Sequence, residues 1–230
     1  MRLRIAEVFR SIQGEGIWAG TPSVFVRVSG CNLRCTWCDT PYASWNPEGP
    51  ILTVEEISEQ VRHVQDGATH LVLTGGEPMV FDAIIQLAQQ LKHDGFTITI
   101  ETAGTAYQDL PCDLMSISPK LANSTPGGEW KDRHDETRTN TVALSQLILN
   151  YNHQLKFVVG DDFEADLREI DLRLARLPTV EGSRILLMPE GTDVATIQRR
   201  LPYLEKTAFE RGWGTSPRLH IQMFGNTRGT

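Results

Sequence analysis

The sequence lacks the features that would place the protein in or across a membrane. None of its apolar runs reaches the roughly 18 residues that a membrane-spanning helix needs. The N-terminal segment MRLRIAEVFRSIQGEG has no apolar core of signal-peptide length. Basic residues are in deficit, with 22 Lys and Arg against 29 Asp and Glu and a formal net charge of −7, which argues against a broad nucleic-acid-binding face. We therefore expect a soluble, cytoplasmic protein that acts on a small molecule and has neither a nucleic-acid nor a membrane partner.

Cysteine is also scarce, and its distribution is uneven. The 230 residues contain only four cysteines, and three of them, Cys31, Cys35 and Cys38, fall in one short segment. A disulfide framework is not expected in a chain of this size without an export signal. Three thiols this close in a reducing compartment usually hold a metal. The fourth, Cys112, lies far along the chain just before an apolar run, so we expect it to be a core residue.

Internal repeats, low-complexity tracts and long linkers are absent as well. Short apolar runs rich in β-branched residues alternate with helical patterns, which is typical of a parallel sheet covered on both faces. A closed barrel of eight such units takes about 250 residues, and the first part of this chain is spent on loops. We therefore expect an α/β fold: a partial, incomplete β/α barrel with a mostly parallel sheet of about six strands. The predicted strands are 23–28, 70–74, 96–101, 113–118, 155–159 and 184–188, with a last strand near 219–223, and the predicted helices are 53–65, 81–92, 139–150, 163–177 and 195–210.

The unusual residues follow the ends of predicted strands. They are the cysteine loop and the segments 75–78, 101–102 and 118–120. In parallel sheets the functional site lies at the carboxyl ends of the strands, so we expect one site at one rim. The polar stretch 123–138 contains Pro126-Gly127-Gly128 and is expected to be a mobile loop near that rim.

The cysteine spacing is C-x3-C-x2-C, which supplies three thiolates and no fourth. A structural zinc site needs four ligands. Zinc with Asp39 or a histidine as the fourth ligand is the alternative, although Asp39 directly follows Cys38 and is poorly placed to share its tetrahedron. In an iron–sulfur cube, three cysteines bind three irons and leave the fourth iron open. The spacing therefore favours a [4Fe–4S] cluster with one free position.

The cysteine loop after the first predicted strand, together with Gly75-Gly76-Glu77-Pro78 after the second, resembles the signature of the radical S-adenosylmethionine superfamily. The resemblance implies that S-adenosylmethionine chelates the open iron and that reduction of the cluster releases a 5′-deoxyadenosyl radical. It implies one core domain over 1–230, with the cluster loop at 29–45 and a C-terminal tail. The residues it assigns are Cys31, Cys35 and Cys38 to the cluster, and Trp37, Cys38, Asp39, Gly76, Glu77, Glu101, Ser118, Pro119 and Lys120 to S-adenosylmethionine.

Four further segments, 11–16, 20–27, 37–40 and 224–229, resemble the 7-carboxy-7-deazaguanine synthase family within that superfamily. This resemblance implies a carbon–nitrogen lyase of queuosine and 7-deazapurine biosynthesis. Its substrate would be 6-carboxy-5,6,7,8-tetrahydropterin, which loses ammonia in a radical ring contraction, and S-adenosylmethionine would act catalytically. Mg²⁺, a flavodoxin-type or other electron donor and a homodimer are implied as well.

The same resemblance assigns the residues that meet the substrate and Mg²⁺. A pterin edge offers fixed donors and acceptors, a guanidinium suits a carboxylate, and Mg²⁺ prefers hard oxygen ligands. The assigned residues are Ile12, Gln13 and Gly14 at the pterin edge, Arg27 at the substrate carboxylate, Thr74 and the terminal carboxylate of Thr230 in the substrate pocket, and Thr40 on Mg²⁺.

Two other functions remain open. A glycyl-radical activating enzyme has a similar size and the same cysteine spacing, but it needs a large protein partner and neither the SIQGEG segment nor Thr40. A non-catalytic iron–sulfur or zinc module is the second alternative, and the GGEP segment at a strand end argues against it. The segment 188–191 departs from the resembled family, which often has a glutamine where this chain has Met188, so no adenine contact is assigned there.

Overall fold

The structure is a computed structural model that describes residues 1–230, and one nine-stranded sheet organises it. The strands are β1 (Arg2–Ile12), β2 (Pro22–Val28), β3 (Ile51–Thr53), β4 (His70–Gly75), β5 (Thr97–Thr102), β6 (Leu114–Ile117), β7 (His153–Val159), β8 (Ile185–Pro189) and β9 (Gly214–Thr215). The helices are α1 (Pro41–Ser44), α2 (Val54–Val64), α3 (Ala83–His93), α4 (Lys131–Arg138), α5 (Thr141–Asn150), α6 (Phe163–Leu174), α7 (Val194–Arg211) and α8 (Leu219–Phe224). None of the helices combines the length and the apolar character that crossing a membrane requires.

The strands lie in the order β3-β1-β2-β4-β5-β6-β7-β8-β9. Each neighbouring pair from β2 to β9 is parallel, whereas β1 is antiparallel to both β2 and β3. The outer strands β3 and β9 do not pair with each other, so the sheet stays open. The predicted partial barrel with a mostly parallel sheet is confirmed, although the sheet has nine strands and not about six. Its parallel strands bring their carboxyl ends to one edge.

Helix α2 begins where the sequence predicts it, because Thr53 and Glu56 form a reciprocal capping box. Thr53 Oγ1 accepts a hydrogen bond from the Glu56 amide at 3.2 Å, and Glu56 Oε2 accepts one from the Thr53 amide at 2.7 Å. The helix then buries Ile57 and Val61 in the hydrophobic core. Helices α3, α5, α6 and α7 bury apolar residues in the same way, so the sheet has one continuous core that fixes its carboxyl edge.

The longest strand, β1, lies outside the predicted elements. Leu3 and Ile5 alternate with exposed arginines and are buried, but the register shifts between Ile5 and Glu7 and the two-residue period ends there. The bulge is the reason that the alternation is too short to predict a strand of eleven residues. The strand matters for the site because it ends at Ile12, directly before the SIQGEG residues reach the carboxyl edge.

The predicted strand at 219–223 is wrong, since these residues belong to helix α8. The position beside β8 is taken by the two-residue strand β9, which pairs with Leu186 and Leu187. At the start of α8 the backbone bonds are helical, with the Ile221 and Gln222 amides both donating to Arg218 O. Only one side chain of α8 is buried, so the apolar alternation of LHIQM reflects no sheet pairing.

The predicted loop at 123–138 is also wrong. It contains 3₁₀ turns at Ala122–Ser124 and Gly128–Trp130 and the helix α4. Charged residues stabilise α4 locally, because Asp135 accepts hydrogen bonds from Lys131 at 3.0 Å and from Arg138 at 2.6 Å. The segment is polar because its side chains bond to one another and to the cysteine loop.

Candidate active site

A cavity of about 420 Å³ lies at the carboxyl edge of the parallel strands. Its walls come from β1, β2, the cysteine loop, the ends of β4 to β8 and the C-terminal tail. Thirteen predicted site residues line it: Ile12, Gln13, Gly14, Arg27, Trp37, Asp39, Thr40, Thr74, Gly76, Glu101, Ser118, Lys120 and Thr230. Five predicted residues do not line it: Cys31, Cys35, Cys38, Glu77 and Pro119. One rim therefore does gather most of the predicted residues.

The three predicted cluster ligands lie close together in the loop between β2 and α1, and all are free thiols. Burial raises the pKa of the Cys31 thiol to about 12, and the negative charges of Glu77, Cys35 and Cys38 add to the rise. Burial likewise raises the pKa of Cys35 to about 11. Three half-buried or buried thiols that would repel one another as thiolates need a positively charged group between them. The donor set fits an iron–sulfur cube, in which each cysteine binds its own iron.

The turn after β4 is joined to the cysteine loop by backbone hydrogen bonds. The Gly76 amide donates to Val28 O at 3.0 Å, and the Glu77 amide donates to Gly30 O at 2.9 Å. Gly76 lies so close to the loop that an added Cβ would be 2.1 Å from Gly30 O and 2.6 Å from Ala43 O. Glycine is required here because any side chain would push the cysteine loop away from the strand end.

The Glu77 carboxylate is fully buried. One oxygen accepts hydrogen bonds from the Thr102 hydroxyl at 2.7 Å and the Met79 amide at 3.1 Å, and the other accepts from the Ala103 amide at 2.7 Å. Burial raises the pKa of this carboxyl, and the hydrogen bonds oppose the rise. Glu77 thus ties the end of β4 to the end of β5, and its direct contact with S-adenosylmethionine stays a prediction.

Trp37 and Lys120 form one wall of the cavity. Lys120 Nζ lies 5.4 Å from the centre of the Trp37 ring and donates to Ser118 Oγ at 2.8 Å. Pro119, between Ser118 and Lys120, is buried in the turn that follows β6. An aromatic face beside an ammonium can hold a flat ring and a carboxylate, which are the two ends of S-adenosylmethionine.

Lys156 is the centre of a buried polar cluster that no motif indicates. Its Nζ donates to Glu15 Oε2 at 2.7 Å and lies 3.8 Å from Glu101 Oε1. Gln13 Nε2 donates to the same Glu101 oxygen at 3.2 Å. Burial disfavours both charges, yet their attraction raises the pKa of Lys156 and lowers that of Glu15. The available signal was a lysine inside the apolar run 155–159.

Arg218 links the cysteine loop to this cluster from the opposite side. Its Nη2 donates to Asp39 Oδ2 at 2.5 Å, and its Nε lies 3.4 Å from Glu15 Oε1 without a hydrogen-bond partner. Burial opposes ionisation of Asp39, but the charges of Arg218, Arg27 and His220 together outweigh it and lower the pKa of the carboxyl. Because the Asp39 carboxylate is paired with Arg218, it is not free to complete a zinc site with the three cysteines.

His220 is a further cavity residue outside the predicted set, because α8 was predicted as a strand. Gly14 O accepts a hydrogen bond from the Leu219 amide at 3.0 Å, which docks the start of α8 on the SIQGEG segment. A Cβ on Gly14 would lie 2.2 Å from His220 Nδ1. The glycine therefore makes room for the imidazole, and burial lowers the pKa of His220.

Arg27 and the C-terminal tail meet at Glu7. Arg27 Nε donates to Glu7 Oε2 at 2.9 Å, and Arg228 Nε donates to Glu7 Oε1 at 2.7 Å. The Arg228 guanidinium also lies 4.1 Å from the centre of the Tyr42 ring. These contacts hold the tail against the cavity, where Thr230 lines the wall.

Thr40 and Thr74 present hydroxyls to the cavity. Thr40 occupies the N-cap position of α1, but its side chain makes no capping hydrogen bond. Its Oγ1 lies 3.8 Å from Cys38 Sγ, while the Ser44 hydroxyl contacts the same sulfur at 3.1 Å. Thr74 is buried at the end of β4 beside the glycine turn. A hydroxyl that leaves its own helix uncapped is available to a ligand.

Comparison with known proteins places these features in context. The model of the radical SAM superfamily matches residues 25–145. A 7-carboxy-7-deazaguanine synthase of Halobacterium salinarum is 44% identical over 237 residues, covering 97% of this chain and 91% of that protein. One of Rhodopirellula baltica is 45% identical over 233 residues, covering 99% and 89%. The crystal structure of QueE from Escherichia coli is similar with a TM-score of 0.70 at 26% identity, covering 94% of this chain and 93% of that one.

Proposed function

We propose a reaction for this chain from the premise that it belongs to the radical SAM superfamily and, within it, to the 7-carboxy-7-deazaguanine synthase family. The reaction is the conversion of 6-carboxy-5,6,7,8-tetrahydropterin to 7-carboxy-7-deazaguanine with loss of ammonia. The observation that carries this proposal is the meeting of two groups of residues at one cavity. Trp37, Asp39 and Thr40 of the cysteine loop form one side, and the buried Gln13–Glu101–Lys156 cluster forms another. A [4Fe–4S] cluster and S-adenosylmethionine would supply the radical chemistry when bound.

The chain's own residues are suited to a flat substrate with a hydrogen-bonding edge. Gln13 is buried at the cavity wall, and its amide already bonds Glu101 and the Glu15 amide. A side chain fixed on both sides keeps its remaining donor and acceptor capacity in one orientation. The backbone at Ile12 and Gly14 flanks it on the same wall. We assign these three residues to the pterin edge.

Arg27 is assigned to the substrate carboxylate. Only its Nε is bonded to Glu7, which leaves both Nη groups for a ligand in the cavity. The positive charge is held in place by Glu7, which itself is fixed by the Tyr42 hydroxyl at 3.0 Å. A guanidinium with a fixed orientation can bind a carboxylate through two parallel hydrogen bonds. Replacing Arg27 with Gln should raise the KM for the pterin substrate far more than that for S-adenosylmethionine.

Mg²⁺ is assigned to the Thr40 hydroxyl, since this oxygen lines the cavity and caps no helix. Mg²⁺ binds few protein ligands and completes its octahedron with water and substrate oxygens. Thr40→Val, which keeps the shape and removes the oxygen, should abolish the stimulation of turnover by added Mg²⁺. Ser44→Ala is the matched control, because its hydroxyl contacts Cys38 and is buried away from the cavity.

The remaining assignments concern partners and location. We propose a flavodoxin-type or other protein electron donor, a homodimer and the cytoplasm. Free thiols at Cys31, Cys35 and Cys38 require a reducing compartment. Val142 and Leu149 are about 70% exposed on α5 and offer apolar surface that a second copy could cover. Sedimentation of Val142→Lys against the unchanged protein tests the dimer, which the substitution should dissociate if α5 forms the interface.

The function itself is tested by an anaerobic assay with reconstituted cluster, reductant, S-adenosylmethionine, Mg²⁺ and the carboxytetrahydropterin. We expect formation of 7-carboxy-7-deazaguanine, and no product with the Cys35→Ala variant. Cleavage of S-adenosylmethionine without this product would keep the superfamily and contradict the substrate. An intact cluster with neither product nor cleavage would contradict the catalytic function.

A further inference from the structure

The cysteine loop contacts a polar segment that contains none of the residues assigned to the cofactors or the substrate. We call residues 122–138 the clamp segment. Two amides from the middle of the loop bond to it: Arg34 N donates to His134 Nδ1 at 3.0 Å, and Thr36 N donates to Ser124 O at 2.9 Å. These two amides flank Cys35. The backbone on both sides of a predicted iron ligand is therefore oriented by the clamp segment.

His134 can make its contacts in only one neutral form. Ser124 Oγ donates to Leu121 O at 2.7 Å, so toward His134 Nε2, at 3.0 Å, it acts as an acceptor. Nε2 must then carry the proton, and Nδ1 is the free lone pair that accepts from Arg34 N. The imidazole is 1% exposed, so water cannot replace either partner. His134 therefore joins the clamp segment to the cysteine loop through hydrogen bonds at both of its ring nitrogens.

The clamp segment is itself fixed to the sheet. Asn123 Oδ1 accepts from Trp37 Nε1 at 3.2 Å, and Asn123 Nδ2 donates to Val158 O at 3.0 Å and Asp166 Oδ2 at 2.8 Å. The Ala122 amide donates to Glu169 Oε2 at 2.7 Å. The clamp segment thus transmits the position of β7 and α6 to the cysteine loop.

A stacking contact closes the outer side of the loop. The Arg34 guanidinium lies 4.5 Å from the centre of the Trp130 ring, and its Nη1 donates to Cys31 O at 2.7 Å. The same side chain therefore connects the clamp segment to the backbone of a second predicted ligand. Contacts from residues 124–134 therefore reach the backbone on both sides of Cys35 and, through Arg34, the backbone of Cys31.

We propose that the clamp segment sets the conformation of the cysteine loop and that His134 is its positioning residue. The proposal rests on the proposed function only in taking Cys31, Cys35 and Cys38 as ligands of a [4Fe–4S] cluster. Holding the Arg34 and Thr36 amides on His134 and Ser124 keeps these donors from bonding the cluster's sulfur atoms. Hydrogen bonds to sulfur change a cluster's reduction potential, and outer partners of metal ligands control metal retention.

The experiment compares His134→Leu with His134→Asn in the full chain. Leucine has no acceptor, whereas the asparagine Oδ1 lies at the same distance along the side chain as His134 Nδ1 and can accept from Arg34 N. His63→Leu is the matched control, because His63 is exposed on α2. All four proteins are purified without the cluster and then reconstituted anaerobically.

The first measurement is amide hydrogen exchange across 31–38 in the cluster-free protein. We expect His134→Leu to speed exchange at Arg34 by on the order of 10-fold, since a buried acceptor is lost, with β4 and β5 unchanged. His134→Asn and His63→Leu should remain near the unchanged protein. Uniform protection in all variants, or faster exchange spread over the whole sheet, would overturn the proposal.

The second measurement uses the reconstituted cluster and needs no turnover. We expect His134→Leu to lose iron to a chelator roughly 10-fold faster and to shift the reduction potential of the cluster, with His134→Asn restoring both. Equal iron loss and equal potential in all variants would overturn the proposal. Failure of the proposed function is seen separately, as an unchanged protein that holds its cluster and forms no product.

If His134→Leu does not fold, Ser124→Ala takes its place. This variant removes the hydroxyl that accepts from His134 Nε2 and leaves the imidazole and the Ser124 carbonyl in position. Faster exchange at Arg34 supports the proposal, and unchanged exchange there contradicts it.

Discussion

Replacing Lys156 with Met should destabilise the protein in a way that depends on pH. The ammonium is 3% exposed and 2.7 Å from Glu15 Oε2, and the substitution leaves that carboxylate buried. Breaking a buried ion pair costs about 3–5 kcal/mol. Because Arg218 still lies 3.4 Å from Glu15, we expect the lower end, about 3 kcal/mol. For a chain of this length that is a fall in Tm of roughly 6–12 °C.

The pH dependence of stability follows from the shifted pKa of the Glu15 carboxyl. In the unchanged protein the folded pKa of Glu15 is lowered, so its contribution to stability is present above its ordinary value of about 4.3 and lost as pH falls through the folded value. Without Lys156, burial is opposed only by the charges of Arg218 and His220. Burial is the largest of these effects, so the folded pKa of Glu15 rises and the variant loses stability as pH rises above about 4.3. The deficit should therefore be large at pH 7.5 and smaller at pH 5.

Urea unfolding of the cluster-free protein at both pH values measures this deficit. Glu15→Gln combined with Lys156→Met should restore most of the stability, because the buried charge is gone. Lys206→Met is the matched control: Lys206 is 74% exposed and pairs with Glu210 at 3.8 Å, so its loss should cost less than about 1 kcal/mol. A Lys156→Met deficit below about 1 kcal/mol, or one that is the same at both pH values, would refute the reasoning.

Three further substitutions have definite expected outcomes. Gly14→Ala should raise the KM for the pterin substrate about 10-fold, because its Cβ would displace His220. Thr53→Ala should lower the free energy of unfolding by about 1 kcal/mol, since it removes the capping bond to Glu56. Cys112→Ala should keep the full iron content and the visible absorption of the cluster, because this thiol packs against the core.

Each of these has a matched control. Gly127→Ala introduces a Cβ with no atom within 4 Å and should leave the KM unchanged. Glu59→Ala, on the exposed face of α2, should leave the free energy of unfolding unchanged. Cys35→Ala should lose the iron that Cys112→Ala retains. An unaffected KM in Gly14→Ala, a stable Thr53→Ala, or loss of the cluster in Cys112→Ala would each contradict the corresponding assignment.

The parallel strands were predictable because they are buried on both faces. The runs at 70–74 and 155–159 are mostly apolar, and their structural counterparts begin and end within a few residues of the predicted bounds. The capping box at Thr53 was predictable for a different reason, since its two partners are three residues apart and need no tertiary information. Local patterns of this kind were enough to predict the strand ends at which the site lies.

The remaining features depend on contacts between distant residues. Lys156 reaches Glu15 across 141 positions, and Arg218 reaches Asp39 across 179. No spacing in the sequence connects such pairs. The helix α4 is polar because its side chains make hydrogen bonds: His134 accepts from the Arg34 amide of the cysteine loop, and Asp135 accepts from the Thr125 hydroxyl. Composition alone makes such a segment look like a loop.

The most direct test of the account is the amount of product formed per S-adenosylmethionine under limiting cofactor. With cluster-loaded protein, reductant, Mg²⁺ and excess carboxytetrahydropterin, 7-carboxy-7-deazaguanine should exceed the S-adenosylmethionine supplied, since the hydrogen taken from the substrate is returned. Cys35→Ala should form none. Cleavage of S-adenosylmethionine with no 7-carboxy-7-deazaguanine would contradict the account, and product limited to one equivalent of S-adenosylmethionine would contradict its catalytic role.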